Sequence, residues 1–487
     1  MTAHAALSTQ TGPARDPRLQ PVFISPIHRA GLVLVWLMVA ASGVVFSEPA
    51  PVDLLMFALV LLLPVAGLIR VTPALMTGLA LWLVVGAATV FALINTIDAS
   101  KALPHAGVTI FLFVSAFVIA AFVMYRPEHH TRLIFNAYII AASIAAIAGV
   151  AGYFNLAPGA FELFTRYGRA TGTFKDPNVY GPFLVPPLLY ALHRLMEGAR
   201  RHVLWLLPCA ALLAFAILLS FSRGAWVNLG ISVGVYACLA FLTAPTNQQR
   251  IKLVVITAGG VAAAAIMLVI ALQFDEIGRL FGERAALTQS YDEGPEGRFG
   301  GQMKAIRTIL ANPFGIGPQQ FAPNFHFEEA HNVYLTMFLN AGWIGGGLFL
   351  MLIAATVVFG LRHAVRRAPT QRLFIVAYAC FAANAVEGFL IDFDHWRHVF
   401  LLMGVVLGLM LGERRIAAAG PLTSLRQSLF SPAVPISTRP ARPLLTVAAG
   451  TTPASSPQPA PAHSPTPRRP LDGDDNRPGR HAGRRTA

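Results

Sequence analysis

The chain alternates long apolar runs with short polar turns. Apolar stretches recur near 30–47, 52–69, 74–95, 105–124, 133–154, 179–196, 202–221, 225–243, 251–273, 332–360, 371–390 and 396–412. Runs of about 17 to 25 residues cross the roughly 30 Å hydrocarbon layer as helices, because lipid offers the backbone no other hydrogen-bond partners. The pattern therefore predicts an all-α polytopic membrane protein with about twelve transmembrane helices. Asp392-Phe393-Asp394-His395 lies in the short interval between the last two runs and reads as a polar turn.

One polar interval stands apart. Residues 274–331 separate the ninth run from the tenth and carry Glu296-Gly297-Arg298, then Asn312-Pro313-Phe314-Gly315-Ile316-Gly317, then His331 at the start of an apolar helix. Within it, 301–311 suits a short amphipathic helix, with Met303, Ile306 and Leu310 on one face and Lys304 and Arg307 beside it, able to lie on a membrane surface. Asn312-Pro313 stops that helix, and Gly315 and Gly317 turn the chain back.

Beyond residue 412 the chain is rich in Pro, Ser, Thr, Ala and Arg and cannot bury enough apolar area to order itself. The expected organisation is a cytoplasmic N-terminal segment (1–29), a membrane domain (30–412) and a disordered cytoplasmic tail (413–487). The first run follows nearly thirty polar residues, so a cleaved signal peptide is not expected. Arg468, Arg469, Arg484 and Arg485 in the tail can touch anionic lipid.

Loop charges orient the helices. With the N-terminus inside, the cytoplasmic turns carry Arg70, Arg126, Arg132, Arg194, Arg200, Arg201, Arg250, Lys252, Arg362, Arg366, Arg367, Arg372, Arg414 and Arg415. The first two outward turns offer Glu48, Asp98 and one cation, Lys101. This follows the positive-inside rule, puts both termini in the cytoplasm and turns 274–331 outward. Composition agrees: 12% of residues are charged, 55% are hydrophobic and mean hydropathy is +0.59, against about 25% charged in soluble domains. The net charge of +14 sits in turns and tail, where it sets topology, so no nucleic-acid partner is expected. Cys209, Cys238 and Cys380 lie inside apolar runs and read as small buried hydrophobes.

Against the topological trend, the outward side keeps Arg166, Arg169, Lys175, Arg223, Arg298, Lys304 and Arg307. Cations retained there call for an anionic partner at the membrane surface. Arg169 opens Arg169-Ala170-Thr171-Gly172-Thr173-Phe174-Lys175-Asp176-Pro177-Asn178, a structured turn in which Asp176 or Asn178 can cap the next helix. Arg223 lies in Ser222-Arg223-Gly224, the whole connection between two spans, held at headgroup depth where a guanidinium can grip phosphate; an interfacial anchor is the alternative. Arg298 stands between Gly297 and Phe299. His331 precedes Asn332, a candidate helix cap. The positive helix end and nearby arginines favour a neutral imidazole there, as a general base requires.

These residues resemble the O-antigen ligase/polymerase superfamily of bacterial envelope glycosyltransferases. The resemblance rests on Gly172-Thr173-Phe174 with Asp176-Pro177-Asn178, on Ser222-Arg223-Gly224-Ala225, on Gly297-Arg298 in a large outer loop, and on Asn312-Pro313-Phe314-Gly315-Ile316-Gly317 before His331-Asn332. It spans about residues 30–412 and implies a GT-C-type fold in the bacterial inner membrane with one large periplasmic loop. The implied reaction transfers a glycan from an undecaprenyl-diphosphate-linked donor to an acceptor hydroxyl on the periplasmic side. The acceptor would be lipid A core, a growing polysaccharide or a protein hydroxyl, and neither metal nor nucleotide sugar would be used. By position, Arg223 and Arg298 would hold the diphosphate and His331 would take the acceptor proton. Arg169 would be an auxiliary phosphate contact, and Arg166, Lys304, Arg307 and Asn332 complete the expected substrate-binding set. Family members often carry an aromatic residue shortly after the loop arginine, where this chain has Gln302-Met303. A secondary transporter or flippase of envelope precursors is the rival class. Transporters place ionisable residues within spans and show repeated halves, whereas these runs hold few charges, Glu387 excepted, and show no repeat.

The topology is directly testable. A cysteine introduced at Glu296 is expected to react with an externally added, membrane-impermeant maleimide in spheroplasts. Labelling only after permeabilisation would place the Arg298 loop inside.

Overall fold

A computed structural model describes residues 26–418 apart from 48, 199–202, 286–291 and 293. The expected tail beyond 418 and most of the N-terminal segment lie outside the described residues. The helices are α1 (Pro26–Ala41), α2 (Pro51–Val65), α3 (Pro73–Ala92), α4 (Ala99–Tyr125), α5 (Pro127–Tyr153), the short α6 (Ala160–Phe164), α7 (Pro177–Met196), α8 (Val203–Leu219), α9 (Arg223–Thr243) and α10 (Asn247–Ala271). They continue with α11 (Asp275–Ala285), α12 (Arg298–Ala311), α13 (Phe321–Asn324), α14 (Val333–Ala364), α15 (Gln371–Glu387) and α16 (Arg397–Ala418). A two-stranded hairpin, β1 (Thr165–Arg166) with β2 (Arg169–Ala170), precedes α7.

All twelve apolar runs fall on helices. Among the described residues, six helices are long and apolar enough to cross a membrane: Pro73–Asn95, Ala99–Tyr125, Pro127–Tyr153, Arg223–Thr243, Asn247–Ala271 and Val333–Ala364. Three more apolar helices, α1, α2 and α8, are shorter. The chain is a mostly helical, polytopic membrane protein. In α10, only Leu253 and Ala271 are buried, while Val254, Val255, Val261, Ile266 and Val269 are exposed. A helix apolar on every side and unpartnered on most of them suits lipid as its solvent.

Local chemistry sets the helix starts. Proline occupies the first turn of α2, α3, α5 and α7, where its missing N–H costs nothing. The side chains of Thr72, Asp98, Asp176, Ser222, Thr246 and Asn332 cap α3, α4, α7, α9, α10 and α14. Of the two candidate caps for α7, Asp176 fills the position, accepting from Asn178 N at 2.7 Å.

Close packing comes from small residues. Gly404, Gly408 and Gly412 recur every four residues along α16, so they share one face. A Cβ on Gly404 or Gly408 would fall 2.5 Å from Ala116 O or 2.7 Å from Ala120 O of α4. This small-residue spacing lets two membrane helices approach backbone to backbone.

The tenth run, expected as a single span over 332–360, is instead two helical pieces meeting at Gly342, whose φ and ψ are 67° and −171°. The break exposes backbone that the Asn312-Pro313-Phe314-Gly315-Ile316-Gly317 turn satisfies. Trp343 N donates to Pro313 O at 2.8 Å, and Ile316 N and Gly317 N both donate to Leu339 O. The turn thus clasps the kink and holds the first piece of α14 against α12.

Gly342→Ala is expected to be destabilising by about 1–3 kcal/mol from the backbone conformation alone, with a further clash from a Cβ 2.6 Å from Pro313 O. Gly347, whose Cβ would meet only Phe338 at 4.0 Å, is the control. Thermal unfolding in detergent should show a lowered midpoint for Gly342→Ala and none for Gly347→Ala.

Candidate active site

The N-terminal ends of α7, α9, α12 and α14 and the C-terminal end of α15 converge at one end of the bundle. They surround a cavity of about 550 Å³ lined by Arg169, Asn178, Arg223, Gly224, Arg284, Asp292, Arg298, Glu328, His331 and Glu387, with Phe221, Phe299 and Leu390 among the apolar walls. Four helix N-termini aim their positive dipole ends toward this space, which adds to the guanidinium field.

Arg223 is the first helical residue of α9, placed there by the Ser222 cap, whose Oγ accepts from Ala225 N at 3.3 Å. Ser222 Oγ also donates to Asn178 Oδ1 at 3.0 Å. The same Asn178 oxygen accepts from Arg169 Nη2 at 2.8 Å, and Arg169 Nε donates to Ser220 O at 2.8 Å. Arg169 is itself 7% exposed. The turn before α7 and the turn before α9 are therefore laced together by one buried guanidinium.

Arg298 begins α12 from the opposite wall. Asp292, 5% exposed at its side chain, lies between the two arginines: Oδ2 accepts from Arg223 Nη2 at 2.7 Å, and Oδ1 is 3.7 Å from Arg298 Nη1. One carboxylate bridges two like charges and reduces the repulsion of bringing them together.

His331 has φ +48°, a left-handed backbone held by its surroundings. Next to it, Asn332 caps α14 by accepting from Tyr334 N and Leu335 N, and its Nδ2 donates to Phe389 O at 3.2 Å. Asn332 N in turn donates to Asp392 Oδ1, which also accepts from Thr336 Oγ1 at 2.6 Å. Burial, with the charge of Asp394 next to it, raises Asp392 above the usual carboxylate range. His331 Nε2 is 3.2 Å from Glu328 Oε2. Burial first, then the positive charge of Arg298, holds the His331 imidazole below its ordinary pKa, with Glu328 and the more distant Asp176 pulling the other way. A neutral imidazole near pH 7 follows from the sign of that shift.

The structure brings Arg169, Arg223, Arg298 and His331 around one cavity. It places the other four predicted substrate contacts elsewhere. Arg166 is exposed, donating to Lys175 O at 3.0 Å and lying over Tyr167. Lys304 pairs with Glu296 at 2.7 Å and Arg307 is exposed; at about 100° per residue, both lie roughly on the far side of α12 from Arg298. Asn332 spends its side chain on the helix cap. Conversely, Asp292, Glu328, Arg284 and Glu387 line the cavity without having been singled out for it. Asp292 and Glu328 carry no motif, and only the rarity of a carboxylate in an apolar run marks Glu387.

Outside the cavity lining, His105, Asp394 and His395 bring ligand atoms within 4.8 Å of one another, the candidate metal group among the described residues. His105 Nε2 pairs with Asp394 Oδ2 at 3.2 Å, and the His105 and His395 imidazoles stack at 3.8 Å. The group ties the start of α4 to the α15–α16 turn.

Comparison with known proteins bears on this geometry. Residues 208–350 match the family model described as O-Antigen ligase. That stretch contains Arg223, Asp292, Arg298, Glu328 and His331, and ends within α14. The chain is also 27% identical over 327 residues to the "General O-oligosaccharyltransferase" of Acinetobacter baylyi (strain ATCC 33305 / BD413 / ADP1), a match covering 60% of this chain and 52% of the relative. The chain thus spans about half the length of that curated relative. The domain match and the relative both support a likeness to the O-antigen ligase superfamily.

Proposed function

We propose that the chain is an inner-membrane glycosyltransferase of GT-C type with about twelve spans and both termini in the cytoplasm. It transfers a glycan from an undecaprenyl-diphosphate-linked donor to an acceptor hydroxyl on the periplasmic side. The observation that carries this reading is the single cavity in which Arg223 and Arg298 share Asp292 while His331 stands on the rim. The bond between the anomeric carbon and the diphosphate oxygen breaks, and its electrons leave on the diphosphate. Arg223 and Arg298 stabilise that charge, aided by the helix ends. Glu328 accepts from His331 Nε2–H, which leaves Nδ1 as the basic nitrogen. The acceptor oxygen attacks the anomeric carbon and gives its proton to that nitrogen. Fixed guanidinium groups supply the stabilisation a metal would otherwise give, so the transfer is metal-independent. Arg169 sets the Arg223 turn rather than reaching far into the cavity.

The relative's name describes transfer of an oligosaccharide to oxygen. It favours an oligosaccharide donor, with lipid A core, growing polysaccharide and protein hydroxyls as the acceptors to compare. A transporter or flippase is less well supported, because the apolar runs hold few charges and show no repeated halves.

Purified protein in lipid vesicles, given an undecaprenyl-diphosphate glycan and these acceptors in EDTA, is expected to transfer the glycan. Arg223→Ala and Arg298→Ala should each lower kcat by about 10²- to 10³-fold, with the fold retained by circular dichroism. Solute uptake without glycan transfer would favour the transporter.

The rate should be flat near neutral pH and fall on the acid side as His331 takes a proton, with a midpoint below the ordinary histidine value. Glu328 raises the His331 pKa, so Glu328→Gln should move the acid limb to lower pH while reducing kcat. An unmoved limb would remove His331 as the titrating base.

A further inference from the structure

A cavity of about 540 Å³ opens at the other end of the bundle. The C-terminal turns of α7 and α9 and the N-terminal turns of α5, α10 and α15 wall it. The opposite ends of α7, α9 and α15 meet at the candidate active site, so the two cavities lie at opposite ends of the same helices. The lining sets four cations, Arg132, Lys252, Arg367 and Arg372, against two carboxylates, Glu128 and Glu197. Both carboxylates are taken up by Arg132, whose Nε donates to Glu128 Oε1 and Nη2 to Glu197 Oε1, each at 3.1 Å. Lys252 and Arg372 donate to neutral oxygens, Met196 O at 2.6 Å and Gln249 Oε1 at 2.8 Å. Among the described residues, no carboxylate pairs with Lys252, Arg367 or Arg372, and all three are exposed. The recess therefore presents three accessible positive charges to an anion.

An apolar recess adjoins it. Between α9 and α10, a groove of about 450 Å³ is walled by Ala237, Phe241, Leu253, Val254 and Ala258. Leu253 lines both recesses. From that shared wall the groove runs away from the Ala244-Pro245-Thr246 turn, towards the middle of both helices. Leu242, Val254 and most of α10 are exposed along it, so a hydrocarbon chain can enter from the side. A free phosphate would fill the first recess alone, whereas an amphiphile with an anionic head fills both. All four lining cations lie in turns that the positive-inside pattern assigns to the cytoplasm, at the depth of lipid headgroups. We propose that this end of the bundle binds one anionic phospholipid of the cytoplasmic leaflet. Its phosphate sits among Lys252, Arg367 and Arg372, and one acyl chain follows the groove between α9 and α10. A lipid so placed ties the loosely packed α10 to α15, and it stabilises the chain because only the folded state holds both recesses.

Dioleoylphosphatidylglycerol, or zwitterionic dioleoylphosphatidylcholine, is titrated into the purified full chain in detergent, and bound lipid is counted by native mass spectrometry. One phosphatidylglycerol per chain should bind in preference to phosphatidylcholine and raise the thermal unfolding midpoint. Arg367→Gln combined with Arg372→Gln should weaken that binding about 10- to 30-fold, with the fold retained by circular dichroism. Arg362→Gln combined with Arg366→Gln removes the same charge next to the cavity but outside its lining, and should leave binding unchanged. Ala258→Phe fills the groove with every cation in place. It should weaken binding too, and serves if the first pair does not fold. Inorganic phosphate at the same concentration should not displace the lipid. Equal loss in both arginine pairs, or equal binding of the two lipids, would overturn the headgroup site. Displacement by inorganic phosphate, with no effect of Ala258→Phe, would overturn the lipid in favour of a free anion. None of these outcomes bears on glycan transfer at the opposite end.

Discussion

Two arginines from different helices converge on one carboxylate. Arg223 enters with α9 and Arg298 with α12, and Asp292 accepts from the first while standing 3.7 Å from the second. Without an anion between them, guanidinium groups gathered in a recess at the end of an apolar bundle would repel one another at short range. Asp292 relieves that repulsion without neutralising the site, because the lining sets Arg169, Arg223, Arg284 and Arg298 against Asp292, Glu328 and Glu387. The cavity therefore retains a positive field for an incoming anion, and its arginines are already gathered before one arrives. Preorganisation of this kind is what lets fixed charge stabilise a leaving group.

The rest of the fold keeps those charges in register. The buried guanidinium of Arg169 joins the turn before α7 to the turn before α9. On the opposite wall, the break at Gly342 frees backbone for the clasp by the turn at 312–317. That clasp fixes the first piece of α14, and Asp392 braces its first residues from the α15–α16 turn. His331 is thus positioned by three separate segments, and its left-handed backbone is sustained by them. A kink in a membrane helix usually weakens it. Here it separates the first piece of α14, which follows His331, from the piece whose Gly345 packs against Ala88 of α3.

Much of this was legible in the sequence, for definite physical reasons. Membrane helices declare themselves because lipid permits so few alternatives, and all twelve apolar runs fall on helices. Arg223 stood out because a three-residue turn leaves a cation no room to wander. His331 stood out because an ionisable residue opened an apolar helix. What local pattern could not supply was pairing. Asp292 lies in a stretch without a motif, and its importance depends on two partners distant in the chain. Lys304 and Arg307 shared the composition argument with Arg298 but not its helix face, and Arg166 lies in the hairpin before α7. Gly342 sits within an apolar run that reads as continuous, and its break became visible only when Pro313 and Leu339 were seen as its partners.

Glu387 shows the same limit from the other side. A carboxylate closing an apolar helix reads, in sequence, as an anomaly near a span's end. In the fold it is the upper member of a buried polar ladder whose lower members, Asn228 and Ser232, are one turn apart on α9. Each group in that ladder specifies the orientation of the next: Ser232 Oγ donates to Asn228 Oδ1, and Asn228 Nδ2 donates to Glu387 Oε2. Stability alone would favour apolar side chains at all three positions.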